Sequence, residues 1–244
     1  MKKKLLVLAV AACAAAALAA CGKKDDKLVM ATNAEFPPYE YHEGSEIVGI
    51  DVEIARAIAT EMGKEFTVED MSFDSIIPAV QSGKASFGAA GMTVTPDRQE
   101  NVDFSDPYAT ATQVIIVKEG SEVAGPSDLE GKKIGVQQGT TGDLYATDEF
   151  GDDAVERYNK GFEAVQALSQ EKIDAVIIDG EPAKVFVSEN EGLKILDEAY
   201  TEEEYAIAVK KGNTELLKGI NAAIAKLKES GELQKIVDKY ITAE

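Results

Sequence analysis

Short apolar runs alternate with segments of helical periodicity along almost the whole chain, and few architectures accommodate that pattern. Apolar residues at Ile50, Ile54, Ala57 and Ile58 recur at helical spacing over 50–62, and Gly63 stops that helix. A second helix is expected over 74–81, with Ile76, Ile77 and Val80 on one face and Pro78 in its first turn. Others should begin near Asp143, span 162–169 and open at Pro182. Two more end the chain, one carrying Leu216, Leu217, Ile220, Ile224 and Leu227, the other Leu233, Ile236 and Val237. Strands are expected at 28–31, 66–68, 114–117, 133–136, 155–158, 173–178 and 204–209. The run at 173–178 is continuously apolar, which suits a strand covered on both faces. This alternation implies an α/β fold with mostly parallel sheets. No internal repeat or low-complexity tract interrupts it after residue 27.

The first twenty residues stand apart. Lys2, Lys3 and Lys4 precede an apolar stretch, 5–17, that is too short to span a bilayer comfortably. Leu18-Ala19-Ala20-Cys21 then resembles the lipobox of bacterial lipoproteins. That resemblance implies removal of 1–20, acylation of Cys21 and a tether over 21–27. Several acyl chains on one residue give durable anchoring where one would not. The other cysteine, Cys13, lies in the leader, so the folded domain has neither a disulfide nor a catalytic thiol. The single histidine, His42, is expected in a polar turn (Glu43-Gly44-Ser45) and solvated. Zinc sites and histidine-based triads are thereby excluded, and neither a metal nor a cofactor is expected. The net charge of −19 becomes −22 once the three leader lysines are gone. Nucleic acid and anionic lipid surfaces would be repelled by such a domain.

Chemistry concentrates in Gly91-Met92-Thr93-Val94-Thr95-Pro96-Asp97-Arg98. The small residues of 85–90 precede it and allow close approach to a buried strand. Thr95 then reads as an N-cap, with Pro96 at the first helical position and Arg98 in the first turn. A guanidinium beside a strand end is a receptor for a carboxylate. A strand-turn-helix with a solvated arginine is the other reading of the same residues. Three further groups fall on strand ends: 33–36, 137–141 and Asp179. Ligands of open α/β sheets bind beyond the carboxyl ends of the strands, so these groups should converge on one cleft. Gly139-Thr140-Thr141 offers N–H groups at a helix N-terminus. Asp179 is placed either to meet a cation or to cap the next helix. An arginine facing an aspartate suits a zwitterion.

Most of the chain after the tether resembles the extracellular solute-binding proteins of polar amino-acid ABC importers, family 3. The matching segments are Phe36-Pro37-Pro38-Tyr39, Gly49-Ile50-Asp51-Val52-Glu53-Ile54-Ala55, 91–98, Val102-Asp103-Phe104-Ser105-Asp106-Pro107-Tyr108 and 135–141. The resemblance implies a two-lobe periplasmic-binding-protein-like fold (type II) that closes on an amino acid. Lobe one would take 28–112 and 204–244, lobe two 113–203, with crossings near Thr112 and Glu204. By the same resemblance, Arg98 grips the ligand α-carboxylate with the backbone and hydroxyl of Thr93. Thr141 N–H completes that site. The Gly91 carbonyl and Asp179 take the α-ammonium, and Phe36 and Phe73 sandwich the side chain. Asn33, Ala90, Met92, Gln137, Gln138 and Thr140 join the wall, with Glu35, Tyr39 and Tyr205 as further candidates.

Asn33 stands where relatives that bind glutamine or basic amino acids often carry an aspartate. The expected ligand is therefore a polar, uncharged amino acid, with a basic one next and a dicarboxylic one disfavoured. Expected partners are the permease subunits and ATPase of an importer, with the protein a monomer, extracytoplasmic and held to the cell membrane through Cys21. An amino-acid sensing module and a cyclohexadienyl-dehydratase-like enzyme are the alternatives on this scaffold. The second has only Asp179 and Glu35 as acid–base candidates.

Overall fold

The computed structural model describes residues 26–241. The leader and the expected acylation at Cys21 lie outside the described residues. In chain order the strands are β1 (Lys27–Thr32), β2 (Glu35–Phe36), β3 (Glu40–Glu43), β4 (Glu46–Val48), β5 (Glu65–Asp70), β6 (Phe87–Gly88), β7 (Val102–Phe104), β8 (Ala109–Lys118), β9 (Ile134–Gln137), β10 (Val155–Tyr158), β11 (Ala175–Asp179), β12 (Leu193–Ile195), β13 (Thr201–Tyr205) and β14 (Ala208–Lys210). The α-helices are α1 (Ile50–Glu61), α2 (Ile76–Ser82), α3 (Pro96–Asn101), α4 (Thr141–Phe150), α5 (Gly161–Ser169), α6 (Gly180–Glu189), α7 (Thr214–Ser230) and α8 (Glu232–Tyr240).

Two sheets organise the molecule. The first runs β5-β1-β6-β14-β7, the second β10-β9-β11-β8-β12, with β13 also paired to β8. Strands β1, β5 and β6 are parallel, as are β9, β10 and β11. Antiparallel pairing enters through β8, β12, β13 and β14, so the sheets are more mixed than the sequence suggests. The expected strand at 204–209 is in fact two. β13 pairs with β8 in the second sheet, whereas β14 pairs with β6 and β7 in the first. The chain passes between sheets at Ala206 and Ile207, which belong to neither strand and bond instead to Met92 and Ser105. A small antiparallel sheet, β2-β3-β4, sits at the edge and was not expected, because strands this short show no periodicity.

Local sequence explains the joints. Gly49 precedes α1 at φ 130, and a Cβ there would lie 2.1 Å from the Tyr39 carbonyl oxygen, so only glycine lets the helix leave β4. Helix α1 buries Ile50, Val52, Ile54, Ala55 and Ile58. Gly83 ends α2 in the left-handed conformation. Helix α4 starts at Thr141, two residues earlier than expected, because the Thr140 hydroxyl caps it by accepting the Asp143 N–H at 3.4 Å. The largest apolar cluster is continuous between the halves: it joins Met30, Phe87 and Ile224 of one to Ile116, Val165 and Ile178 of the other. Each sheet has a second core on its other face, around Ile76, Val80 and Met92 in the first and Ile134, Val136 and Ile177 in the second. Among the described residues no helix is long and apolar enough to cross a membrane.

Candidate functional site

The site begins with the cap of α3. The Thr95 hydroxyl accepts the Arg98 N–H at 3.2 Å, which fixes the first turn and aims the arginine side chain back along the chain. Arg98 Nη1 donates to the Thr93 carbonyl at 2.7 Å. Its Nη2 crosses to the second half and donates to the Gly139 carbonyl at 3.1 Å. The guanidinium lies 5.2 Å from the centre of the Phe73 ring, and Arg98 as a whole is only 7% exposed. Burial lowers its pKa, and the neighbouring carboxylates Glu203 and Asp179 act against that. The reading of Arg98 as a solvated surface residue is thereby set aside.

Strand ends from both halves close a narrow slot around it, tight enough to leave a cavity of only about 10 Å³. Asn33, Phe36, Phe73, Ala90, Gly91, Thr93 and Arg98 line it from the first half; Gln137, Thr140, Thr141 and Asp179 line it from the second. All eleven were expected from the sequence. Gly91 adopts φ 53, and a Cβ there would sit 2.8 Å from Phe36, so the aromatic wall depends on the glycine. Gln137 Nε2 donates to Asn33 Oδ1 at 2.8 Å across the slot, and Asn33 donates to the Met71 carbonyl at 3.0 Å. A wider, open cavity bordered by Tyr145, Glu181, Glu202 and Glu204 shares Thr93 with the slot. It has no lysine or arginine on its wall, so the charge complement to a zwitterion is in the slot.

Several expected residues stand elsewhere. Met92 is fully buried in the core with Ile76 and Val80, because alternation along the extended stretch turns it away from the slot. Gln138 is at the rim, donating to Asp74 at 3.3 Å. Glu35 does not face the slot; it is ion-paired with Lys160 across the two halves. Tyr39 stands behind Phe36, its ring 5.9 Å away, and meets Tyr205 edge-on at 5.1 Å. His42 is on β3, not in the turn, half-exposed and 3.2 Å from Asp70. The Thr93 hydroxyl donates to Glu203 Oε2 at 2.8 Å, so its hydrogen is committed elsewhere than to a ligand carboxylate.

Asp179 occupies the N-cap position of α6 but makes no capping bond. Its side chain instead accepts the Tyr205 hydroxyl. Burial, reinforced by Glu203, raises its pKa to about 7, against the stabilising Tyr205 and Gln113 donors. The sequence reading missed Glu40, which also lines the slot, and the buried Asp51, Gln113 and Glu203, which are bonded to Gly91, Thr141 and Thr93 of its wall. The signal was available: a Glu between two tyrosines on a β-strand, and an Asp inside the apolar face of α1. Two buried carboxyl groups, Glu40 and Asp179, thus line the slot and two more, Asp51 and Glu203, bond to its wall, while Arg98 is the one buried cation among the described residues.

Residues 28–243 match the family model of bacterial extracellular solute-binding proteins, family 3. The chain is 37% identical to the arginine-binding extracellular protein ArtP of Bacillus subtilis (strain 168), over 99% of each. An ancestral arginine-binding protein, solved bound to arginine, is similar at TM-score 0.84 and 41% identity, covering 88% of this chain and 98% of that one. The same kind of protein bound to glutamine gives TM-score 0.85 and 40% identity, over 89% and 99%.

Proposed function

The chain belongs to the bacterial extracellular solute-binding proteins, family 3, and we propose that its slot captures a basic L-α-amino acid of the arginine type. It is a substrate-binding protein of an amino-acid ABC transporter. Arg98 and the N-terminus of α4 at Thr140 and Thr141 hold the α-carboxylate; Asp179 and the Gly91 carbonyl hold the α-ammonium. Phe36 and Phe73 flank the side chain. The observation that carries the choice of ligand is the acidity of the slot: Glu40, on its wall, has two buried carboxyl oxygens without a donor. A buried carboxyl group without a donor is costly, and a guanidinium or ammonium supplies donors and charge together. This reverses the order of ligands that Asn33 suggests, and the names of the arginine-binding relatives support the reversal.

Two lobes, 28–112 with 204–244 and 113–203, close about the crossings near Thr112 and Glu204. The ligand docks on the Arg98 lobe, and Asp179 and Thr141 arrive with the other. It is released unchanged to a permease. Anchoring through Cys21 keeps the monomer at the outer face of the membrane. A micromolar affinity corresponds to about −8 kcal/mol, within reach of this set of charge-assisted bonds. A thermal-shift screen against the common amino acids tests the assignment, since a ligand specific for the folded state raises the melting temperature. L-Arginine or L-lysine should give the largest shift; a larger one with an uncharged amino acid would remove the basic-ligand reading.

A further inference from the structure

Glu40 opens β3, is buried and faces the slot. Neither of its carboxyl oxygens has a donor, nor does Oδ1 of Asp51 on α1. Yet the two residues are neighbours across the β3–α1 joint, where the Asp51 N–H donates to the carbonyl of Tyr39, next to Glu40, at 3.0 Å, and their carboxyl groups act on each other. Carboxylates are acceptors only, so two ions here would meet lone pair to lone pair in a medium that screens charge poorly. One proton between them removes the conflict. The surroundings say where the negative charge rests. Asp51 Oδ2 accepts the Tyr108 hydroxyl at 2.6 Å and the Gly91 N–H at 2.8 Å, which favours an ionised Asp51. Nothing donates to Glu40. The titratable groups facing the pair from neighbouring elements are Tyr39, Tyr108, Asp70 and Asp179, and none is a cation.

We infer that Glu40 and Asp51 share a proton in the ligand-free protein, and that the cationic side chain of the ligand displaces it. The inference rests on the basic-ligand reading above. In the exchange the Glu40 O–H bond breaks and the proton goes to solvent. The ligand's N–H groups replace it as donors to the carboxyl oxygens. One proton leaves as one cation arrives, so the buried net charge is unchanged and no carboxylate is left uncompensated. A neutral side chain cannot replace the proton and leaves the pair as it was. The pair therefore reads the charge of the side chain, apart from the zwitterion contacts at Arg98 and Asp179. Burial, with the negative neighbour Asp51, pushes Glu40 well above the ordinary carboxyl range. Asp51 rises to about 6, again through burial. Both directions fit a proton retained near neutrality.

The test is a proton count. L-Arginine is titrated by calorimetry at about pH 7 into the wild-type protein and Glu40→Gln, each in two buffers of different ionisation enthalpy. Glutamine copies the shape of the protonated acid and can still donate to Asp51, so the variant should fold. Wild type should release about one proton more per L-arginine than the variant, whose affinity for L-arginine should fall at least about tenfold. Any proton lost by Asp179 is common to both and cancels in the difference. Equal counts would overturn the exchange while leaving the basic-ligand reading in place. A wild-type protein that binds L-glutamine but not L-arginine would overturn both. If the variant binds too weakly to measure, the wild type decides alone. Its affinity for L-arginine should keep rising beyond roughly one pH unit above the Asp179 value of about 7, where Asp179 is almost fully ionised; a flat profile there overturns the exchange.

Discussion

The two halves of the molecule bring unlike chemistry to one slot. The half built on β5-β1-β6-β14-β7 supplies fixed side chains: Arg98 pinned by its own helix cap, Phe36 and Phe73, and the Gly91–Asp51–Tyr108 network beneath them. The half built on β10-β9-β11-β8-β12 supplies a helix N-terminus, the amide of Gln137 and one acid, Asp179, whose hydroxyl partner comes from β13. The first half has its guanidinium positioned by bonds within that half. The second meets it through Gly139, Gln137 and Gln138, and the surface pair Lys160–Glu35. The difference teaches a division of labour. In the proposed mechanism, recognition of the carboxylate belongs to a prebuilt surface, and completion of the site belongs to closure.

Removing Arg98 should break that division most severely. Arg98→Ala leaves the ligand carboxylate buried without its partner, a loss of about 3 kcal/mol or more, and calorimetry should show affinity down at least about 100-fold. An Arg98→Ala protein that binds as wild type would sink the assignment. Asp179→Asn acts on the closing half and keeps a polar group in place, so a smaller loss of about 1.5–3 kcal/mol is expected.

The same residue gives a pH dependence. The Asp179 pKa is about 7 in the folded protein against an ordinary 3.8. The folded state therefore holds this proton more tightly than the unfolded one. Its contribution to ligand-free stability is complete below the ordinary value and is lost as pH rises through about 7. Affinity for an amino acid with a neutral side chain runs the other way, climbing to about pH 7 and then levelling as the carboxylate forms. Thermal melts and titrations across that range check both signs, and Asp179→Asn should flatten both.

Gly91→Ala probes the prebuilt half without touching a charge. The new methyl would meet Phe36 at 2.8 Å in a left-handed backbone, and a loss of about 1–3 kcal/mol is expected by denaturant unfolding. Lys160→Ala removes a half-exposed ion pair between the halves and should cost at most about 1 kcal/mol. If Lys160→Ala weakened ligand binding as much as Asp179→Asn, closure would depend on the rim rather than on the slot.

The α/β class and the strand-end chemistry were legible because they are periodic or local. The cap at Thr95, the turn at Gly91 and the 139–141 helix start each need only a few neighbouring residues. What was hidden depends on tertiary neighbours. Met92 and Thr93 differ by one position, and only the packing of α2 against the sheet decides which faces the core. Glu35 looked available for a ligand until the chain brought Lys160 beside it, 125 residues away. The acids Glu40, Asp51 and Glu203 come from β3, α1 and β13, so no sequence window contains their joint charge. The proposed basic ligand rests on that joint charge, which Asn33 alone does not carry.

A crystal structure of the protein grown with L-arginine would test the site most directly. The expected density places the α-carboxylate on Arg98 and the N-terminus of α4, the α-ammonium on Asp179, and the guanidinium against Glu40. L-Arginine bound outside the slot, or reversed with its carboxylate toward Glu40, would contradict the assignment of the two ends.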